Sequence, residues 1–156
     1  MKHSGRIIAV NISEKKGMKK KDVGRAHVKE NYGIENDAHS GHWHRQISLL
    51  AMESIDKMKQ KGLSVIPGSF AENITTEGIN LLNLRIGDTL RLGGEVVLEI
   101  TQLGKVCHER CAIYYQAGDC VMPKEGIFAM VKKSGWIKAG DKISGNSSPE
   151  EKDLTR

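Results

Sequence analysis

A chain of 156 residues has room for one domain with a real hydrophobic core and is too short for two domains of ordinary size. Hydrophobic residues at 38% and charged residues at 28% fit a soluble globular class, while aromatics at only 4% leave the core to aliphatic side chains. A net charge of +5 points to an anionic partner, and no apolar run approaches the roughly 20 residues of a membrane span, so no membrane partner is expected.

The basic N-terminal stretch "MKHSGRIIAVNIS" has an apolar run only from Ile7 to Val10, short of the roughly 7–15 residues of a signal-peptide core, and a cytoplasmic location is expected. From Arg6, "RIIAVNIS" is apolar and β-branched and ends in turn residues, which predicts a strand. "EKKGMKKKD" follows, with Lys15, Lys16, Lys19, Lys20 and Lys21 read as a solvated, Gly-containing basic loop. Nucleic-acid binding would bring aromatics for base stacking; the run has none, and no nucleic-acid partner is expected.

"GRAHVKENYG" predicts a second strand, with Ala26 and Val28 alternating against polar neighbours. The first half of "IENDAHSGHWHRQISLL" is too rich in Asp, Asn, Ser, Gly and His for a regular element and reads as an exposed loop. In "LLAMESIDKMKQKG" the spacing of three between Leu49, Met52, Ile55 and Met58 predicts a helix, stopped at Gly62. "AENITTEGI", "NLLNLRIGDTLRLGG" and "EVVLEITQLG" alternate with period two between Gly and Asp turns, and Val96, Leu98 and Ile100 would share one face. A helical turn is expected in "ERCAIYYQAG", then strands in "GIFAMVKK" and near "GWIKAGDKI". The sum is a mostly β, barrel-like single domain over residues 1–144 with one or two short helices, and a disordered tail over 145–156 that lacks any apolar face.

Three segments carry the candidate chemistry. "DAHSGHWHRQ" gathers His39, His42 and His44 with Asp37 and Arg45, either as a hydrogen-bonded loop or as a ligand site; its H-x-x-H-x-H spacing is not a strong zinc pattern. The planar guanidinium of Arg45 suits bidentate contact with phosphate or carboxylate. In "GKVCHERC", Cys107 lies between Lys105 on one side and His108 and Arg110 on the other, charges that favour its thiolate. Cys111 follows four positions later and would share its side on a helical turn, and Cys120 completes an odd count that suits no disulfide framework in a reducing compartment. A zinc set of Cys107, Cys111, Cys120 and His108 stands as an alternative, although C-x3-C-x8-C lacks the tight C-x-x-C knuckle.

Taken in order, "NDAHSGHWHRQISLL", "SFAENITTEGINLLNLRIGDTLRLGG" and "VCHERC" resemble the MOSC domain, named for the C-terminal domain of molybdenum-cofactor sulfurase, and in particular its small stand-alone bacterial members. The resemblance runs from about Gly5 to Ile143 and implies a β-barrel-rich fold. It also implies a role around the molybdenum cofactor in which a cysteine, here Cys107, carries sulfur as a persulfide for delivery to a metal-sulfur centre, with Cys111 as a possible resolving thiol. Asp37, His39, Arg45, Gln46, Glu72 and Asn73 match positions that would line the cofactor pocket, and Lys105 is a further cationic group that could meet the cofactor's phosphate. Asn36 stands where a Gly often precedes the Asp, and Val106 where many members have Pro. The pyridoxal-phosphate desulfurase domain joined to this module in the full-length sulfurases has no counterpart here, which implies a cysteine desulfurase as a separate sulfur donor and a molybdoenzyme or its cofactor as acceptor. The alternatives are a cofactor-binding module without turnover and a small zinc protein.

Overall fold

The computed structural model describes residues 4–104 and 125–146. Its strands are β1 (Ser4–Ile12), β2 (Lys21–Asp22), β3 (Arg25–Lys29), β4 (Gly33–Ile34), β5 (Ile47–Ala51), β6 (Ile74–Glu77), β7 (Thr89–Leu92), β8 (Val96–Leu103), β9 (Ile127–Lys133), β10 (Gly135–Lys138) and β11 (Lys142–Asn146). One α-helix, α1 (Met52–Gln60), and a 3-10 turn at Leu81–Asn83 complete the described elements.

The main sheet runs β11-β7-β8-β9-β5-β6-β1, and a further pairing of β11 with β1 closes it into a seven-stranded barrel. Strand β2 extends from β1, while β10, β3 and β4 form a small separate sheet. Every pairing is antiparallel except β5 with β6. Parallel neighbours need a long crossover, and α1 lies in it.

Alternation along the strands builds two cores. Ile47, Leu49, Leu98, Ile100, Ile127, Ala129 and Val131 fill the barrel, whereas Leu50 and Phe128, at the intervening positions, turn outward to Ile55 and Met58 of α1 and to Val65 and Phe70. The expected shared face of Val96, Leu98 and Ile100 is there, all three fully buried. The helix starts later than the spacing predicts. Leu49 belongs to β5, because a strand buried on both faces supplies apolar residues that continue a helical spacing by coincidence. Gly62 stops the helix as expected, in the left-handed region at φ 92°. The lysine run is not wholly solvated either, since the Lys20 side chain is fully enclosed. At the other end, Gly145 and Asn146 still pair with Leu90 and Thr89, carrying β11 past residue 144. The helical turn expected in "ERCAIYYQAG" lies outside the described residues.

Candidate functional site

The histidine-bearing loop between β4 and β5 is pinned from inside by an ion pair. The ammonium of Lys20 stands 2.7 Å from Asp37 Oδ1, both side chains having no solvent exposure. The same carboxylate accepts from the backbone N–H of Ser13 at 3.1 Å and, through Oδ2, from that of His39 at 3.1 Å. Lys20 also reaches Ser13 Oγ at 3.0 Å and His39 Nδ1 at 2.9 Å, so its three donors are all engaged. Asn36, at the position where a Gly often stands, adopts φ 71°, a left-handed conformation that Asn tolerates better than most residues.

The outer half of the loop packs differently. Trp43 donates its indole N–H to the His39 carbonyl at 2.8 Å, and its ring lies 4.6 Å from the Arg45 guanidinium and 4.9 Å from the Lys16 ammonium. Arg45 also stands 5.6 Å from the Phe128 ring, and its Nε is buried without a hydrogen-bond partner among the described residues. His44 Nε2 lies 2.8 Å from Gln102 Oε1, and Thr101 Oγ1 donates to the His44 carbonyl, which straps the loop to the end of β8. The rings of His42 and Tyr32 meet in an edge-to-face arrangement, 6.4 Å between centroids. No group of three metal-ligating side chains forms among the described residues, so the three imidazoles of the loop do not gather as a cluster there.

The other motif residues are enclosed beside this loop. Gln46 accepts from the Val131 N–H at 2.9 Å and donates to Asn31 Oδ1 at 3.1 Å. Asn73 accepts from Ser48 N–H at 2.9 Å and donates to the Asn11 carbonyl at 3.2 Å. Glu72, fully buried, accepts from the Gly68 and Phe70 N–H groups at 2.9 and 3.2 Å and from Thr75 Oγ1 at 2.8 Å. Burial raises its pKa above the ordinary 4.5, and those hydrogen bonds pull in the opposite direction. The carboxylate and amide groups of Asp37, Gln46, Glu72 and Asn73 are thus engaged in holding loops together, whereas Arg45 keeps a buried donor in reserve. Lys20 joins the cluster unforeseen: nothing in a run of five lysines tells which one the fold will enclose.

The cysteines and their charged neighbours, Lys105, Cys107, His108, Arg110, Cys111 and Cys120, lie outside the described residues. Their attachment points do not. Gly104 N–H donates to the Gly126 carbonyl at 2.7 Å, closing the stem where the intervening segment leaves β8 and returns to β9. Gln102 and Phe128, which meet His44 and Arg45, flank that stem. The fold therefore brings the histidine loop to the root of the cysteine segment.

A family model described as the MOSC domain matches residues 36–144. The chain belongs to the MOSC domain family, which is associated with the molybdenum cofactor. Among solved structures, YuaD from Bacillus subtilis is similar with a TM-score of 0.79 at 17% identity, covering 95% of this chain and 98% of that one. YiiM from Geobacillus stearothermophilus has a TM-score of 0.66 at 18% identity, covering 91% of this MOSC chain and 75% of its own. YiiM from Escherichia coli has a TM-score of 0.60 at 21% identity, with 92% and 70% covered. At such identities the likeness is one of fold. No curated protein sequence matches this MOSC chain.

Proposed function

We propose that this MOSC domain is a sulfur carrier that holds sulfur as a persulfide on Cys107 and delivers it to a molybdenum-cofactor-type acceptor bound against the loop of residues 37–46. The observation that carries the reading is the guanidinium of Arg45, set against Trp43 and Phe128 beside the stem of the cysteine segment, with a buried Nε–H lacking a partner among the described residues. A buried cationic donor with nothing to bind costs free energy, and the phosphate of a pterin cofactor is an acceptor that would satisfy it. Lys105 and His39 are the further groups placed in sequence or space to meet such an anion. The cofactor is the substrate in this reading, and the chain's own residues bind and orient it.

Loading is a sulfur transfer. The Cys107 thiolate attacks the outer sulfur of a donor persulfide, forming a new S–S bond while the donor's S–S bond breaks and the donor leaves as its thiolate. A cysteine desulfurase carrying the pyridoxal phosphate supplies that persulfide. For unloading, the Cys111 thiolate attacks Cys107 Sγ; a Cys107–Cys111 disulfide forms and the outer sulfur leaves as hydrosulfide, the two thiols having supplied its electron pair. Lys105, His108 and Arg110 favour the attacking thiolate electrostatically.

Intact mass measured before and after incubation with a cysteine desulfurase and cysteine tests the reading, with alkylation to map the modified thiol. A gain of one sulfur atom on Cys107, absent in Cys107→Ala, is expected. No uptake on an alkylatable Cys107 would overturn the carrier mechanism and leave a cofactor-binding module without turnover.

A further inference from the structure

The environment of Lys20 determines the chemical form of His39. A protonated lysine offers three N–H donors and no acceptor. In this chain those donors meet Asp37 Oδ1 at 2.7 Å, Ser13 Oγ at 3.0 Å and His39 Nδ1 at 2.9 Å. Nδ1 must therefore present its lone pair. The Asp37 carboxylate and the Ser13 hydroxyl oxygen both take hydrogens from Lys20, and the same ammonium supplies the hydrogen between it and His39 Nδ1. Asp37 stabilises that arrangement, since its carboxylate neutralises the enclosed ammonium and also accepts the His39 backbone N–H at 3.1 Å, fixing ring and main chain together.

We infer that Lys20 is a positioning residue that locks His39 as a neutral imidazole with its hydrogen on Nε2, making His39 a fixed hydrogen-bond donor of the site rather than a base or a metal ligand. A metal at Nδ1 would displace the ammonium, and a metal at Nε2 would have to expel the hydrogen that the Lys20 contact places there. The ligand class that such a donor suits is an oxyanion, the same chemistry that Arg45 calls for through its Nε–H. The donor form of His39 stands on the Lys20 geometry alone; the use made of that donor rests on the anion-binding reading of the loop.

Nitrogen-15 NMR of the histidine rings in the full chain tests the inference, with His39→Gln to assign the signals. At neutral pH, His39 is expected to carry its hydrogen on Nε2 and a bare lone pair on Nδ1. In Lys20→Met, the hydrogen should redistribute between the two nitrogens. Because that variant leaves Asp37 buried without its counter-ion, Lys20→Met/Asp37→Asn provides a version in which both charges are removed, and the same redistribution is expected. A hydrogen on Nδ1 in the native chain, or an unchanged ring in both Lys20 variants, overturns the inference. Titration with inorganic phosphate separates the two readings. If His39 is the Nε2–H form and its Nε2 signal does not respond to phosphate while Arg45 signals do not move either, the anion site fails and the role of Lys20 stands.

Discussion

Two buried carboxylates on different loops are held in different ways. Asp37 faces an enclosed ammonium, whereas among the described residues Glu72 meets neutral donors, the N–H groups of Gly68 and Phe70 and the hydroxyl of Thr75. The first is an ion pair in which each charge depends on the other. The second is a desolvated acid, with burial pushing its pKa up. Gly68 connects them: its N–H donates to Glu72 at 2.9 Å and its carbonyl accepts from the Lys20 N–H at 2.8 Å. The lesson is that enclosure alone does not define how a carboxylate is held: one is matched by an opposite charge, the other only by neutral hydrogen-bond donors.

The sharpest way to break this contrast is to remove one half of the ion pair. Lys20→Met should cost about 3–5 kcal/mol in chemical denaturation, since it strands a buried charge, and Lys20→Met/Asp37→Asn should recover most of that loss. A double variant no more stable than the single one would show that packing, not charge, is what Lys20 supplies. Gly68→Ala comes next, with a loss of roughly 2–4 kcal/mol from left-handed strain and overpacking. Its φ is 92°, and an added Cβ would stand 2.2 Å from the Lys20 carbonyl oxygen. This change should loosen both clusters at once, which hydrogen exchange at the Lys20 and Glu72 amides would read.

Glu72→Gln tests the other half. Gln has one acceptor oxygen where the carboxylate uses two, so a donor among Gly68, Phe70 and Thr75 loses its partner, at about 1–3 kcal/mol. The pH dependence has a definite sign. With a folded pKa above the ordinary 4.5, the native state holds its proton more tightly than the unfolded chain, so Glu72's contribution is fully present below 4.5 and is lost as pH rises toward the folded value. Native protein should therefore lose stability relative to Glu72→Gln as pH rises above 4.5, in paired denaturation curves. A gap that widens in the other direction would mean that hydrogen bonding outweighs burial. The smallest effect is expected at Ala71, which sits next to Glu72 at φ 63°. Ala71→Gly should raise stability by up to about 1 kcal/mol, strain relief exceeding the added freedom of the unfolded chain.

The barrel was largely readable from the chain because period-two alternation is a local signal: Val96, Leu98 and Ile100 point inward as the pattern says. The helical spacing extends back to Leu49 because a strand covered on both faces loses that alternation, with Leu49 in the barrel and Leu50 against α1. At the site, the motif segments located the loop that meets the end of β8 and singled out Arg45. Lys20 is not distinguishable in sequence because five lysines in one run look alike until the nearby Ser13 and the more distant Asp37 and Gly68 close around one of them. The partners of Gln46 and Asn73 were equally invisible, being contributed by residues 85 and 62 positions away.

The closure of β1 on β11 has a kinetic consequence. Ser4 pairs with Ser144, so β1 waits for β11, the last described strand, before this end of its edge is covered. A seam of that sequence separation belongs to the slow, high-contact-order regime of folding, on the order of milliseconds to seconds. During synthesis, β1 can pair with β6 on one side and, at Asn11 and Ile12, with β2 on the other, while the Ser4–Arg6 end of that edge waits for β11 and is open to pairing with a neighbouring chain.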